Sequence, residues 1–357
     1  MLDLICLIMS KILNIGIIGF GNSAKFIAGP VINSVQTLRI TKAYDAMGVD
    51  PSLTFDWVKG VGSVEEILGD SEIDIVLVCT PSGTHYDVAK KSIYAGKHTI
   101  VEKPITATEA EARELISLAK EKGVLLSVQH QRRWDSDFRT VKKIIESRVL
   151  GEIVEYEANW DRYRTTVDVS AWRTDGSPGS GPLMDLGSHL IDQALTLFGE
   201  PRGISAHFRY LIPGTVCEDD AEVMLHYPRH RVILRTSVHM KIPRPRFAVR
   251  GVNGVFIKHG LDPQEDAQRA GVKYGSPGWG IEDKSIYGTL ELDLEGFRVK
   301  SVITSLPGVY AEYYKDIYKA ITEEKAPAVR AEDGAGVVRV IELAVKSAAT
   351  GGKIIDY

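Results

Sequence analysis

The chain has 357 residues, of which 44% are hydrophobic and 25% charged, a composition typical of globular proteins rather than of disordered or fibrous ones. Its 43 Lys and Arg residues against 47 Asp and Glu residues leave a net charge of −4, which argues against nucleic acid or an anionic membrane surface as a partner. At about 150 residues per domain, this length predicts two domains.

The cysteines and the N-terminal run bear on the compartment. Cys6, Cys79 and Cys217 are odd in number and show no CxxC spacing, which argues against a disulfide framework and a structural zinc site and favours a reducing compartment. The apolar stretch 1–9 is shorter than the ~20 residues that span a bilayer. We interpret it as an extension upstream of an alternative start at Met9. We therefore expect a cytoplasmic protein with no membrane partner.

The first third of the chain alternates short apolar runs with amphipathic stretches. Helical patterns such as 84–94 and 108–122 separate runs that we interpret as strands, at 12–18, 40–44, 73–78, 98–101 and 124–128. Strands rich in Ile and Val without polar alternation are buried on both faces, which is typical of a parallel sheet covered by helices. The pattern predicts a doubly wound α/β domain over residues 9–128.

The pattern changes after residue 128. A helical stretch at 134–147 is followed by longer runs with a period of two, at 153–163, 221–227, 231–238 and 290–294, separated by Gly- and Pro-rich turns. Such punctuation predicts hairpins and a mostly antiparallel sheet. One long helix is expected at 331–348. We therefore predict a second, α/β domain over residues 129–357.

A glycine-rich turn follows the first predicted strand directly, with the sequence Gly19-Phe20-Gly21-Asn22-Ser23-Ala24. The first glycine permits a tight turn, the second lets the backbone approach a pyrophosphate, and the alanine allows close packing of the next helix on the sheet. An isolated match of this kind also occurs as an incidental turn. Here a strand precedes it and a helix pattern follows, so we expect these six residues to bind a dinucleotide in a Rossmann-type domain.

An acidic residue, Asp45, ends the second predicted strand. A carboxylate at this place accepts hydrogen bonds from the ribose 2′-hydroxyl of NAD and repels the 2′-phosphate of NADP. The residues that follow, 46–50, contain no Arg or Lys to hold that phosphate. The sequence therefore favours NAD, while NADP stays possible because basic residues elsewhere in the chain can reach the site.

Three further segments complete an ordered set. Cys79-Thr80-Pro81 and His85 follow one strand, and Glu102-Lys103-Pro104 ends the next; far downstream stands the segment 181–192, with Asp185 and His189. This set resembles the Gfo/Idh/MocA oxidoreductase family over nearly the whole chain from about residue 12. The resemblance implies a large, open sheet in the second domain and places the cofactor against Thr80, Pro81, His85, Glu102 and Lys103.

Within that family, segments such as 128–135, 161–164 and 171–173 look like the branch that contains scyllo-inositol dehydrogenases. Members of that branch tend to use NADP and carry a Ser-Arg pair just after the second strand. The matching residues here are Ala46 and Met47, so this sequence departs from the NADP pattern of the branch.

The expected chemistry centres on an imidazole. Oxidising an alcohol requires a base for the hydroxyl proton, and a His side chain suits that exchange in both directions. Asp185 and His189 are four residues apart, so a helix places both on one face. The resemblance implies that His189 is the acid/base and that Asp185 and Lys103 are its partners, with Lys103 stabilising alkoxide charge. Asp192 lies on the same predicted face, as an orienting residue or a cap.

Other polar and aromatic residues are candidates for substrate contacts or for structural roles. Charged donors and an aromatic floor hold hydroxyl-rich substrates, and the candidates are Gln131, Arg132, Tyr163, Arg164, Trp172 and Arg173. The same aromatic side chains fit a core or an interface equally well. His226, His230 and His239 show no metal-ligand spacing, so we expect no metal. We interpret the basic segment 244–250 as a solvated strand edge or an interface.

These observations predict an NAD-preferring dehydrogenase that acts on a secondary hydroxyl of a cyclitol or sugar. Three alternatives stay open: an NADPH-linked reductase of a keto-inositol or another small carbonyl compound, a non-catalytic dinucleotide-binding sensor, and a cofactor-retaining hydrolase or epimerase. The family's usual assembly implies a homodimer or homotetramer, because an exposed apolar sheet face would otherwise contact water.

Overall fold

The computed structural model describes residues 11–49 and 58–357. Our interpretation of residues 1–9, the Cys6 thiol and Asp50 fall outside these ranges. The first sheet has six parallel strands in the order β3-β2-β1-β4-β5-β6. Its strands are β1 (Leu13–Ile18), β2 (Leu38–Tyr44), β3 (Lys59–Gly60), β4 (Ile75–Val78), β5 (His98–Val101) and β6 (Leu126–Val128). All four side chains of β4 are buried, as the Ile- and Val-rich pattern predicted.

Helices cover this sheet on both faces. After β1 comes a π-helical turn, Ala24–Ala28, that continues as α1 (Gly29–Ser34); α2 (Glu65–Leu68), α3 (His85–Tyr94) and α4 (Glu109–Lys122) follow. At the start of α4 the Thr108 hydroxyl accepts the backbone N–H of Glu111, whose carboxylate accepts the backbone N–H of Thr108. Such a cap contributes about 1 kcal/mol. The predicted doubly wound sheet is confirmed.

The second sheet has nine strands in the order β14-β13-β12-β11-β7-β10-β9-β8-β15. Neighbours pair antiparallel except β7 and β10, which run parallel. The predicted mostly antiparallel sheet is confirmed. Its strands are β7 (Ile153–Asp161), β8 (Gly203–Arg209), β9 (Asp220–His226), β10 (Arg231–Ser237), β11 (Phe247–Gly251), β12 (Gly254–Lys258), β13 (Gly288–Leu294), β14 (Phe297–Ile303) and β15 (Ile355–Asp356).

The helices of the second half of the chain pack on one face of the second sheet or return to the first domain. They are α5 (Ser136–Glu146), α6 (Ser188–Phe198), α7 (Gln264–Arg269), α8 (Ala311–Thr322) and α9 (Ala331–Ala349). Ile317 of α8 and Val338 of α9 belong to the core around the parallel sheet, while Val340 belongs to the core of the second sheet. The strands therefore divide after residue 128, but the C-terminal helices return to the first sheet and join the two cores.

The face of the second sheet that these helices leave uncovered carries ion pairs between strands. Arg235 on β10 lies between Glu222 on β9, at 2.6 Å, and Glu157 on β7, at 2.8 Å. Arg250 on β11 pairs with Glu155 at 2.9 Å. Aliphatic side chains share this face with the charges, because Ile233 lies directly opposite both Glu157 and Met224 in the strand ladder. The uncovered face is therefore mixed, with ion pairs among apolar side chains.

The basic segment 244–250 is not a solvated strand edge. Its β11 part lies between β7 and β12 in the sheet interior. Arg246 is buried and donates to Asp137 at 3.1 Å and to the backbone oxygen of Asn159 at 3.0 Å.

No helix within 11–49 and 58–357 is long and apolar enough to cross a bilayer.

Candidate active site

A cavity of about 720 Å³ lies between the two sheets, at the carboxyl ends of β1, β4 and β5. This edge is where open parallel sheets bind their ligands. The first domain contributes the glycine turn, Asp45 and Lys103 to its wall, and the second contributes Asp185 and His189. The structure thus brings the three predicted motifs to one cavity.

The glycine turn has the geometry that a dinucleotide requires. Gly19 has φ +91°, and a Cβ there would lie 2.6 Å from the backbone nitrogen of Thr80, so only glycine fits. A Cβ on Gly21 would meet no atom within 4 Å, which leaves the backbone open to a ligand. Asn22 and Ser23 line the cavity beside it, whereas Ala24, the first residue of the π-helical turn, is fully buried. The turn therefore fits a pyrophosphate.

Asp45 links the end of β2 to this turn. One carboxylate oxygen accepts the backbone N–H of Phe20 at 2.7 Å, and the other accepts the N–H of Met47 at 2.9 Å. Phe20 contributes only its backbone here, because its ring is buried in the core. Asp45 lines the cavity and retains lone pairs for further donors.

The His85 ring contacts both the segment that follows β4 and the segment that follows β5. Its Nδ1 lies 2.7 Å from the carbonyl oxygen of Pro104, and its Nε2 lies 2.9 Å from that of Thr80. Burial lowers the pKa of the ring. Thr80 and Pro81 line the cavity as predicted. His85 borders it, but both its nitrogens face the protein, so the structure makes it a positioning residue rather than a polar contact of a cofactor.

Glu102 is hydrogen-bonded to the start of the helix that follows the glycine turn. The Ser23 hydroxyl donates to its carboxylate at 2.6 Å, and burial raises the pKa of Glu102. The side chain therefore braces the glycine turn against β5. It also borders the cavity.

Lys103 meets Asp185 across 82 residues of sequence. Its ammonium lies 2.8 Å from a carboxylate oxygen of Asp185 and 2.5 Å from the backbone oxygen of the same residue. Burial acts to raise the pKa of Asp185, but Lys103, Arg173 and Arg162 outweigh it and lower that pKa to about 2. The carboxylate is therefore ionised at neutral pH and oriented by the lysine.

His189 lies one helical turn beyond Asp185, where a π-helical segment, Leu183–Gly187, passes into α6. Its ring is buried and stacks on Trp160, with centroids 5.5 Å apart. Burial and the nearby cations Lys103 and Arg132 lower its pKa well below the usual range. Among the described residues Nδ1 has no hydrogen-bond partner. The imidazole is therefore neutral at pH 7 and able to accept a proton.

Asp192 serves the fold rather than the imidazole. It accepts hydrogen bonds from Arg133 at 2.9 and 2.6 Å, and both side chains are largely buried. It thus holds α6 in place by a buried, bidentate ion pair.

The predicted substrate residues divide between the cavity and the surface. Gln131, Arg132, Trp172, Arg173 and Arg164 line the cavity. Tyr163 does not: it is half exposed and its ring packs 5.9 Å from that of His239. Because side chains alternate along an extended segment, Arg162 and Arg164 face the cavity while Tyr163 faces away.

Several wall residues were absent from the sequence prediction. Trp160 and Arg162 come from β7 and its extension, and alternation from the inward-facing Tyr156 would have identified both. Glu265 and Arg269 come from the short helix α7, more than 70 residues from His189, and no local pattern in the sequence marks them.

Metal ligation has no counterpart in the ranges 11–49 and 58–357, where no group of three or more His, Cys, Asp or Glu side chains is arranged to hold an ion. His226 bonds the Ser205 hydroxyl at 2.8 Å, and His239 bonds the carbonyl oxygen of Arg164 at 2.9 Å. These histidines are structural.

Comparison with known proteins agrees with the motifs. The oxidoreductase-family models named Gfo/Idh/MocA match residues 13–130, as an NAD-binding Rossmann fold, and residues 142–355, as a C-terminal α/β domain. The scyllo-inositol 2-dehydrogenase (NADP(+)) IolW of Bacillus subtilis is 38% identical, over 94% of this chain and 93% of that protein. The uncharacterised oxidoreductase YdgJ of Escherichia coli is 37% identical, over 95% of this chain and 97% of its own length.

Solved structures show the same architecture. The oxidoreductase yvaA from Bacillus subtilis has a TM-score of 0.94 and 37% identity, with 98% of this chain and 99% of that chain covered. YPO2259 from Yersinia pestis has a TM-score of 0.91 and 33% identity, with 98% of each chain covered. Matched by family models over both sheets, the chain belongs to the Gfo/Idh/MocA family and is an NAD(P)-binding oxidoreductase.

Proposed function

We propose that this oxidoreductase transfers a hydride between a nicotinamide cofactor and a secondary hydroxyl or ketone of a cyclitol or sugar. The observation that carries the proposal is the contact of Lys103 with Asp185, 2.8 Å apart, in the same cavity wall as His189. A cation, a carboxylate and a neutral imidazole are the groups that an alcohol carbon needs around it. The name of the relative IolW gives the cyclitol as a substrate class.

The side chains divide the work of moving the hydroxyl proton. His189 is neutral because burial and neighbouring cations lower its pKa, so it accepts the proton in oxidation and returns it in reduction. Lys103 donates a hydrogen bond to the substrate oxygen and stabilises negative charge on it. Asp185 holds the lysine in place and accepts from a neighbouring hydroxyl. When bound, the cofactor supplies the hydride acceptor or donor.

The residues of the glycine turn would hold that cofactor. Gly19 and Gly21 shape the turn, Asn22 and Ser23 begin the helix, and the first helical N–H groups favour a pyrophosphate. We propose NAD as the preferred form, because the Asp45 carboxylate lines the cavity beside the glycine turn, where it would disfavour a 2′-phosphate. The relative IolW is a scyllo-inositol 2-dehydrogenase that uses NADP(+), so an NADP-linked reductase is the second candidate.

Steady-state rates with a panel of inositol stereoisomers, aldoses and their keto forms, each with NAD(H) and NADP(H), test this function. We expect reduction of the coenzyme by at least one polyol and a higher kcat/KM with NAD. A tenfold advantage of NADP(H) would overturn the coenzyme assignment alone. Tight coenzyme binding without turnover of any member would favour the sensor, and a product without net redox change would favour the hydrolase or epimerase.

We also propose that the chain forms a homodimer or homotetramer through the uncovered face of the nine-stranded sheet. That face presents paired Arg and Glu side chains, such as Arg235 and Glu157, beside aliphatic ones such as Met224, and a two-fold axis would cover this mixed surface with its own copy. A monomeric mass by light scattering would contradict this. We propose a cytoplasmic location on the basis of the free thiols of Cys79 and Cys217.

A further inference from the structure

The substrate end of the cavity carries more positive charge than its carboxylates balance. Six Lys and Arg side chains line the whole cavity against four Asp and Glu side chains. Two of those acids, Asp45 and Glu102, lie at the cofactor end, bonded to the glycine turn and its helix. Only Asp185 and Glu265 remain to face the basic side chains Lys103, Arg132, Arg162, Arg164, Arg173 and Arg269.

The two remaining carboxylates are already used. Asp185 accepts from Lys103. Glu265 accepts from Arg132 and, at 2.8 Å, from Arg269. Three guanidinium groups, those of Arg162, Arg164 and Arg173, are left without a carboxylate at hydrogen-bond distance among the described residues. Arg173 comes nearest, at 3.9 Å from Asp185, and packs on the ring of Trp172.

Arg162 is the most informative of the three, because it is partly buried. Burial lowers the pKa of its guanidinium, and the neighbouring cations Arg164 and Arg132 add to that effect against the attraction of Asp185. A desolvated cation without a bonded anion is costly for the folded protein. Its position on the cavity wall means that a ligand can supply the missing charge.

We propose that the substrate carries an anionic group, a carboxylate or a phosphate, which Arg162, Arg164 and Arg173 hold while a secondary hydroxyl lies at Lys103 and His189. The guanidinium fork matches both kinds of anion in a bidentate manner. This inference rests on the proposed oxidoreductase function and narrows its substrate from a neutral polyol to a sugar acid or a phosphorylated sugar or cyclitol. Neutral hydroxyls accept weaker hydrogen bonds from Arg and leave the charge uncompensated.

Matched substrates test the inference. Glucose, glucuronate and glucose 6-phosphate share ring hydroxyls and differ in the group at carbon 6. Comparing kcat/KM for the three compounds, with either coenzyme, therefore measures how much the anionic group contributes to recognition. We expect one of the two anions to exceed glucose by tenfold or more, and the two anions identify which group is recognised. Arg162→Gln should reduce kcat/KM for that anion about tenfold or more beyond any loss that it causes with glucose.

A second variant controls for net charge. Arg229→Gln removes a charge from an exposed side chain that pairs with Glu152, away from the cavity, and should leave all three rates unchanged. Turnover of glucose as efficient as that of both anions would overturn the inference and leave the oxidoreductase intact. So would an equal loss of all three rates in Arg162→Gln.

Binding separates this inference from the proposed function. Calorimetry of glucuronate and glucose 6-phosphate on the protein loaded with NADH measures anion recognition without chemistry. Binding that Arg162→Gln abolishes supports the anion site even if neither compound is oxidised, in which case the result counts against hydride transfer to these compounds and not against anion recognition. Absence of binding by both anions overturns the inference whatever the turnover.

Discussion

The indole of Trp160 stacks on the imidazole of His189, with ring centroids 5.5 Å apart and planes inclined by 30°. The guanidinium groups of Arg132 and Arg246 each lie 4.6 Å from the centre of the same indole. The ring of His189, the proposed acid/base residue, therefore packs on the indole of Trp160, and two guanidinium groups contact that indole in turn. Its orientation is a property of β7 as much as of its own helix.

Replacing Trp160 should lower kcat more than it lowers the affinity for substrate. Trp160→Leu removes the flat surface under His189, and a displacement of about 1 Å in a reacting group costs about 100-fold in rate. We expect kcat to fall at least tenfold in Trp160→Leu and to recover to within about threefold of the parent in Trp160→Phe, which keeps a ring. Equal kcat values for the Leu and Phe variants would contradict a positioning role.

The low pKa of His189 predicts an unusual acid limb. Burial is the largest cause of the lowered pKa of His189, followed by the positive charges of Lys103 and Arg132, and together they lower this pKa well below 6.5. Because the free enzyme keeps the imidazole neutral down to that lower value, kcat/KM for alcohol oxidation should stay level from about pH 8 to about pH 6. An acid limb with its midpoint at or above about pH 6.5 would show an unperturbed histidine.

Asp45 allows a separation of charge from shape. Asp45→Asn keeps an acceptor for the backbone N–H of Phe20 but loses the negative charge. We expect the ratio of kcat/KM for NADP to that for NAD to rise about tenfold or more, since about 1.4 kcal/mol of relieved repulsion corresponds to that factor. The control variant is Ser23→Ala, which alters the glycine turn without changing its charge. It should leave the ratio of kcat/KM for NADP to that for NAD unchanged. A constant ratio in Asp45→Asn would assign coenzyme choice to another residue.

The Asp192–Arg133 pair should matter for stability rather than chemistry. Asp192→Ala leaves a largely buried guanidinium whose remaining carboxylate partner is Asp333, at 3.2 Å, and such a loss costs about 3 kcal/mol of unfolding free energy. Glu152→Ala breaks an exposed pair with Arg229 and should change stability by less than about 1 kcal/mol. Denaturant titration of both variants measures the difference; equal effects would contradict the structural assignment of Asp192.

Much of the site could be predicted because its residues sit in local patterns. Gly19 must adopt positive φ after a buried strand, and Lys103 follows β5 at the same sheet edge. The carboxyl ends of parallel strands meet there, so chain order alone brings these motifs together. The i, i+4 spacing of Asp185 and His189 predicted their common face even though part of that helix is π-helical.

What could not be predicted depends on contacts between distant segments. Glu265 reaches Arg132 across 133 residues, and the return of Ile317 to the first core requires knowledge of how the two sheets pack. The ion pairs of the outer face need the strand order, because Arg235 meets Glu157 only when β7 and β10 are neighbours. Tyr163 is different: alternation continued past the end of β7 directs its side chain away from the face that carries Arg162, so its position follows from the sequence pattern.

The central claim is that His189 exchanges the proton of the reacting alcohol. The most direct test is single-turnover hydride transfer in His189→Ala, followed by the absorbance of the reduced coenzyme, with coenzyme affinity measured on the same sample. Loss of the imidazole removes the proton acceptor and leaves the glycine turn intact, so we predict a rate about 100-fold or more below the parent and an NADH affinity within about threefold. A rate close to the parent's, or an equal loss of NADH affinity, would contradict the account.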